Sequence, residues 1–206
     1  MTAPPRAKIP AFSDLKLTID TPRLHLRPLR ASDADPLYRY SSDPELTKFV
    51  TWAAHDSIEQ TREWLASNAE AFRKNTDMVW AIVEGGEPCG AIGLHAITWG
   101  LRAVRWDCAT LGYWLAIPHH GLGLMTEAAE AVTRWGFESL GLHKVKVSCF
   151  EPNIGSRRVI EKVGFRFLCK AEEDLWRDGQ WHGHLQYEMT ASEWAARGPR
   201  TSAVVP

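Results

Sequence analysis

The order of segments in this 206-residue chain predicts an α+β domain built on a mixed, mostly antiparallel sheet. Three observations carry that expectation. Strand-like runs follow one another across 78–116, the first closed by the turn pair Gly85-Gly86. A single strand, glycine turn, helix and strand unit then spans 111–150. Two further strands, 165–176 and 180–189, meet at Asp178-Gly179, a strong hairpin signal. A doubly wound sheet would instead alternate strand and helix throughout.

Taken in order, residues 1–12 hold three prolines and few large apolar groups, which predicts a mobile arm ahead of a single domain at 13–194. The alternation at Leu24 and Leu26 predicts a first strand, Leu24 to Pro28. Ser32 and Asp33 offer N-caps for a helix from Ala34 to Ser41, and Pro44 starts a turn through Lys48. A third helix, Ser57 to Asn75, places Ile58, Thr61, Leu65, Ala69 and Phe72 on one face. Strands are expected at Met78–Glu84, Pro88–Ile97 (with Gly90 and Gly93 marking a bulge or weak point) and Val104–Ala116. The helix after Gly123 turns Met125, Ala128, Val132, Trp135 and Leu140 inward, and Glu130 and Arg134 form an i,i+4 pair outside. His143–Phe150 is the next strand. Asn153 caps a helix from Ile154 to Val163, and Gly164 closes it. The tail, 195–206, carries no pattern.

The totals exclude several classes. An apolar fraction of 45% suits a globular core, and a net charge of -1 gives no bulk attraction to nucleic acid or to a membrane surface. No apolar run is long enough for a transmembrane helix, and no apolar segment of signal-peptide type follows Met1. Cys89, Cys108, Cys149 and Cys169 are scattered without a C-x-x-C pair, which predicts buried free thiols and a cytoplasmic protein. His182 and His184 share a strand face, but no Cys or carboxylate completes a set, so no metal is expected.

The most informative stretch is 111–140. A strand that feeds a helix through Gly121-Leu122-Gly123 leaves the first helical N–H groups without partners at the positive end of the helix dipole. Glycines there let an anion approach the main chain, which predicts a phosphate-bearing ligand at 120–126.

Tyr113-Trp114-Leu115, Gly121-x-Gly123 with Thr126-Glu127-Ala128, Asn153-x-x-Ser156 and Glu161-Lys162-Val163-Gly164-Phe165 follow in that order. With the opening Thr21-Pro22-Arg23-Leu24, they resemble the GNAT acetyltransferase family, in particular its ribosomal-protein N-terminal (Rim-type) branch, over about Leu17 to Trp194. The resemblance implies α/β/α layers and a sheet splayed between the fourth and fifth predicted strands. Acetyl-CoA would lie in the opening, held by Trp114, Leu115, His120, Gly121, Leu122, Gly123, Leu124, Met125, Thr126, Asn153 and Ser156. The other expected partners are an amine acceptor, a ribosomal-protein N-terminus among the candidates, and a second copy of the chain as a homodimer. The chain departs from the family pattern at Pro118, ahead of the glycines, at Thr110, where the branch often has Glu, and at Gly183, where the family has Asp.

Transfer of acetyl from a thioester to an amine needs a neutral amine, a stabilised oxyanion and a proton for the leaving thiolate. Ser156 is the candidate acid, weighed against a purely helix-capping role beside Asn153. Asp107, His95 and Glu45 are candidate bases, with Asp107 preferred. His119 and His120 could assist phosphate binding, and Trp52 and Trp99 could wall an acceptor groove. Two rivals stand beside acetyl transfer. One is a catalytically silent CoA-binding sensor of the same fold. The other is a dinucleotide-binding oxidoreductase, for which Thr126 replaces the third glycine of the fingerprint. A P-loop hydrolase is excluded by the missing Gly-Lys-Ser/Thr.

Overall fold

A computed structural model describes residues 10–101 and 104–197, and the ends of the expected arm and tail lie outside that range. Its eight-stranded sheet runs in the order β1-β2-β3-β4-β5-β6-β8-β7. The strands are β1 (Ile19–Asp20), β2 (His25–Pro28), β3 (Met78–Glu84), β4 (Glu87–Leu101), β5 (Val104–Leu115), β6 (Lys144–Phe150), β7 (Arg166–Arg177) and β8 (Gln180–Thr190). Every neighbouring pair is antiparallel except β5 with β6. The helices are α1 (Ala34–Ser41), α2 (Pro44–Thr47), α3 (Ile58–Arg73), α4 (Leu124–Glu138), α5 (Ile154–Val163) and α6 (Ala191–Ala196).

Strand alternation divides the central side chains between two layers of helices. Met78, Trp80 and Ile82 of β3, Ile92 and Leu94 of β4, and Leu111 and Leu115 of β5 join the main core with the inner face of α4. Their neighbours Val79, Ala91 and Trp114 point to the other face, where Leu37 of α1 and Leu65 of α3 cover them. The three layers expected from the resemblance are therefore present, and the central strand β3 is buried on both sides.

Several expectations shift. Phe12, placed in the arm, is only 1% exposed and stacks on Phe72 at 5.6 Å, so the core begins before residue 13. Leu17 and Lys16 are pinned by their carbonyls, which accept from the indoles of Trp80 and Trp135. At the other end, Thr190 caps α6, which runs past residue 194, and Arg197 reaches back to the carbonyl of Val163. Ala69 is exposed rather than inward. The buried stripe of α3 advances by threes and fours through Ile58, Thr61, Leu65, Asn68 and Phe72, which leaves Ala69 to one side. Cys169 is exposed on β7, whereas Cys89, Cys108 and Cys149 are buried; all four are free. The irregularity expected near Gly90 falls between Ile82 and Val83, opposite Cys89, and a second one lies between His95 and Thr98. No helix among the described residues is long and apolar enough to cross a membrane.

β5 and β6 pair only from Cys108↔Lys144 to Leu111↔Val147. Beyond that point Gly112–Leu115 stay with β4 and Ser148–Phe150 stay with β8, so the sheet opens between them. This is the splay expected between the fourth and fifth predicted strands, counted without the short β1.

The entry to α1 is fixed by a buried ion pair. Arg27 donates to both carboxylate oxygens of Asp33 at 2.7 and 2.8 Å, and Arg30 N–H donates to the same group at 2.8 Å. Removing one partner of such a pair strands the other charge. Asp33→Ala should lower the unfolding free energy by about 3 kcal/mol, read as a shift of the urea midpoint at constant slope.

Candidate functional site

The opening between β5 and β6 widens into a cleft of about 720 Å³. Its mouth is the turn that links β5 to α4. A short 3-10 turn, Ile117–His119, begins with Pro118 in its first turn, where a missing N–H costs nothing. Gly121 and Gly123 then take φ of 76° and 78°, a left-handed conformation that side chains rarely adopt. The α4 ladder starts with Glu127 N–H to Gly123 O at 3.1 Å, and no side chain caps the turn before it. The unpaired amides of that first turn suit an anion such as a pyrophosphate.

Arg23, from the opening Thr-Pro-Arg-Leu motif, braces this turn from behind. It donates to Leu122 O at 2.8 Å and to Glu127 at 2.7 Å, while its own amide donates to Glu127 at 3.0 Å. Burial pushes the Glu127 carboxyl up, but the bonds from Thr21 and Arg23 outweigh it and hold the group below its ordinary range. His119 and His120 also act on the turn. His119 Nδ1 donates to Glu84 at 2.6 Å, and His120 Nε2 donates to Leu115 O at 2.6 Å.

On the far wall, Asn153 caps α5 by accepting from Ser156 N–H at 3.0 Å. The cap uses only the Ser156 amide. The Ser156 hydroxyl lies 2.9 Å from the phenol of Tyr113, so the capping and chemical readings of this residue coexist. Burial drives the Tyr113 phenol well above its ordinary value, against the opposing bond to Ser156, so it stays protonated. The neighbouring Cys149 thiol is likewise pushed up to about 11 by burial. Tyr113 was legible only as part of a motif; its pairing with Ser156 across 43 residues needed the fold.

Of the residues expected to hold the cofactor, Trp114, Leu115, His120, Gly121 and Gly123 line the cleft, as do Leu124, Met125, Thr126, Asn153 and Ser156. Leu122 does not: its side chain is exposed and its carbonyl is bonded by Arg23. Arg158 and Lys162 of α5 add cations to the lining that the sequence reading had not assigned to it.

Asp107 is a correction. It sits at the paired end of β5, where its carbonyl accepts from His143, and it is 1% exposed and ion-paired with Arg105 outside the cleft lining. A base there could not meet a substrate in the opening. Glu45 is exposed in the first turn of α2 and is also outside the lining. His95 does line the cleft. Trp52 lines it too, 6.0 Å from Trp114 in edge contact, whereas Trp99 packs against the main core. His184 has a carboxylate neighbour after all, Asp174 at 2.9 Å, while His182 bonds the Arg177 carbonyl. The described residues with metal-ligand spacing are instead Glu84, Cys89 and His119, whose ligand atoms lie within 4.8 Å of one another. His119 bonds Glu84 there, and burial and the Glu84 charge push the Cys89 thiol up to about 11.

Known proteins agree with this architecture. The family model described as the acetyltransferase (GNAT) domain matches residues 23–166. YdaF of Bacillus subtilis (strain 168), provisionally assigned as a ribosomal N-acetyltransferase, is 33% identical over 173 residues, which is 82% of this chain and 92% of YdaF. YjcK from the same organism, provisionally assigned as an N-acetyltransferase, is 28% identical over 167 residues, 78% of this chain and 90% of that one. Among solved structures, RimL, a ribosomal L7/L12 alpha-N-protein acetyltransferase in complex with coenzyme A, superposes with a TM-score of 0.77 at 19% identity, covering 85% of this chain and 99% of RimL. The chain belongs to the GNAT family and is an N-acetyltransferase.

Proposed function

We propose that the chain moves acetyl from acetyl-CoA to a primary amine by direct attack with both substrates bound, and that a protein N-terminus is the acceptor. The observation that carries this reading is the parting of β5 from β6 with a two-glycine helix N-terminus at its mouth. The turn amides suit the pyrophosphate, and Arg158 and Lys162 supply cations for further phosphate. Backbone groups of β5 beyond Leu111, which have no partner strand on that side, suit the pantetheine amides. The names of YdaF and RimL support a ribosomal-protein N-terminus, and the reading places the protein in the cytoplasm.

In the reaction the amine nitrogen bonds to the thioester carbonyl carbon and the C–S bond breaks. The nitrogen loses one proton and the departing thiolate gains one. Tyr113 and Ser156 form a hydroxyl pair on the cofactor side of the sheet, suited to supplying that proton. An α-amine, with an ordinary pKa near 8 against about 10.4 for lysine, is the easier nucleophile at neutral pH.

Two results are expected. Acetyl-CoA, but not NADH, should raise the Tm by selective binding to the native state. No shift at saturating acetyl-CoA would overturn the cofactor assignment, and a shift without thiol release from any amine would leave a silent binder instead. Ser156→Ala and Tyr113→Phe should each lower kcat by about tenfold or more while leaving the acetyl-CoA Tm shift in place. Unchanged turnover across pH in both variants would remove the pair from the chemistry.

A further inference from the structure

The sheet face opposite Tyr113 carries a second polar device. His95 of β4 lies directly across from Thr110 of β5, two residues from Gly93, whose own partner is Gly112. The imidazole rests over both glycines. A Cβ at Gly93 would come within 2.9 Å of His95 Nε2, and one at Gly112 within 3.1 Å of Cδ2. At Gly112 the ring takes the space a side chain would need, and at Gly93 it does so together with Val79.

The ring is also held in orientation. Its Nδ1 donates to Asp77 Oδ1 at 3.0 Å, and the same oxygen accepts from the Ala96 amide at 3.3 Å. Ala96 has φ of 48°, in the left-handed region, and lies in the register shift between His95 and Thr98. Such a bulge re-aims the side chain beside it, and the Asp77 carboxylate fastens the distorted backbone and the ring together. With Nδ1 occupied, Nε2 is the nitrogen left over the glycines, on the cleft lining, where no described residue bonds it. His95 is 40% exposed, so a substrate can reach it.

The surroundings favour the same role. No carboxylate lines the cleft among the described residues; of the other imidazoles that do, His119 bonds Glu84, His120 bonds the Leu115 carbonyl and His184 bonds Asp174. Among the described residues Asp77 is the titratable group bonded to the ring; Thr110, Gly93 and Gly112 beside it do not titrate. On this face the walls are Trp52, Trp64 and Trp114.

We propose that His95, oriented by Asp77, is the base that takes the proton from the acceptor nitrogen, and that its subsite receives a weakly basic primary amine carried beside an apolar group. The proposal rests on the acetyl-transfer reading above. As the N–C bond forms, the nitrogen proton passes to Nε2, and Asp77 stabilises the imidazolium. The thiolate draws its proton from the Tyr113 and Ser156 pair, and solvent returns the His95 proton to that pair. Asp77 is a positioning residue.

The test measures thiol release from acetyl-CoA with Ala-Phe-amide, phenethylamine and spermidine across pH 6 to 9, for the wild type, His95→Ala, His95→Gln and Asp77→Asn. His95→Ala should lose about a hundredfold in kcat/KM and keep the acetyl-CoA Tm shift. It should recover in part with added imidazole, which fits above Gly93 and Gly112. Both His95 variants should keep only the part of the acid limb that the amine's own ionisation sets, and Asp77→Asn should change the profile less than either. Turnover and pH profiles matching the wild type in both His95 variants would overturn the base role while leaving acetyl transfer intact. Ala-Phe-amide should be the fastest of the three; spermidine or the more basic phenethylamine as the faster acceptor would overturn the acceptor class. No thiol release by the wild type with any amine would remove the transfer reading, and the base with it.

Discussion

The separation of two parallel strands halfway along their length is the constraint on which the rest of this molecule depends. β5 and β6 share four register pairs and then part after Leu111 and Val147. Each can afford to leave because its other edge stays paired: β5 with β4 as far as Leu115, β6 with β8 as far as Phe150. An opening in the middle of a sheet would ordinarily strand polar backbone in a dry core. Here helix N-termini face the opening from both sides, α4 at its mouth and α5 at the opposite wall. The hydroxyl pair of Tyr113 and Ser156 spans the gap where the backbone ladder stops.

β5 also separates two polar devices. Side chains alternate along a strand, so Tyr113 faces the α4 and α5 side, whereas Gly112 and Trp114 face α1 and α3. Tyr113 and the His95 imidazole, which reaches over Gly112 from β4, therefore lie on opposite faces of the sheet. That division keeps the His95 imidazole and the Tyr113 phenol out of direct contact, each with its own partner, Asp77 and Ser156. It also explains why the two faces are lined so differently: backbone amides, Arg158 and Lys162 on one, tryptophans on the other.

Much of this was legible in the sequence because local chemistry fixed it. Gly121, Gly123, Gly164 and the Asp178-Gly179 pair marked turns whose positive φ values few other residues tolerate. Helices α1 and α5 and strand β3 were delimited by caps and periodicity. The site was legible where it is built from consecutive residues, as in the glycine turn and the Asn153 to Ser156 cap. It was illegible where it depends on register. Asp107 looked like a strand-end carboxylate near the glycines, yet the parallel pairing puts it at the closed end of β5, bonded to Arg105. His95 gained its meaning only when a bulge at Ala96 and a carboxylate from residue 77 were brought to it. No short-range pattern encodes which glycines lie under a ring on the neighbouring strand.

The half-paired edge of β5 has a further consequence for how the protein moves. Amides of Gly112–Leu115 that point into the gap lie on a half-buried stretch of β5, and they lack the ladder bonds that slow exchange with solvent elsewhere in the sheet. A ligand that hydrogen-bonds along that edge closes the ladder as a further strand would. The central sheet then gains its full complement of bonds only in the loaded state. Under the proposed function, amide exchange along this short segment would report occupancy of the opening.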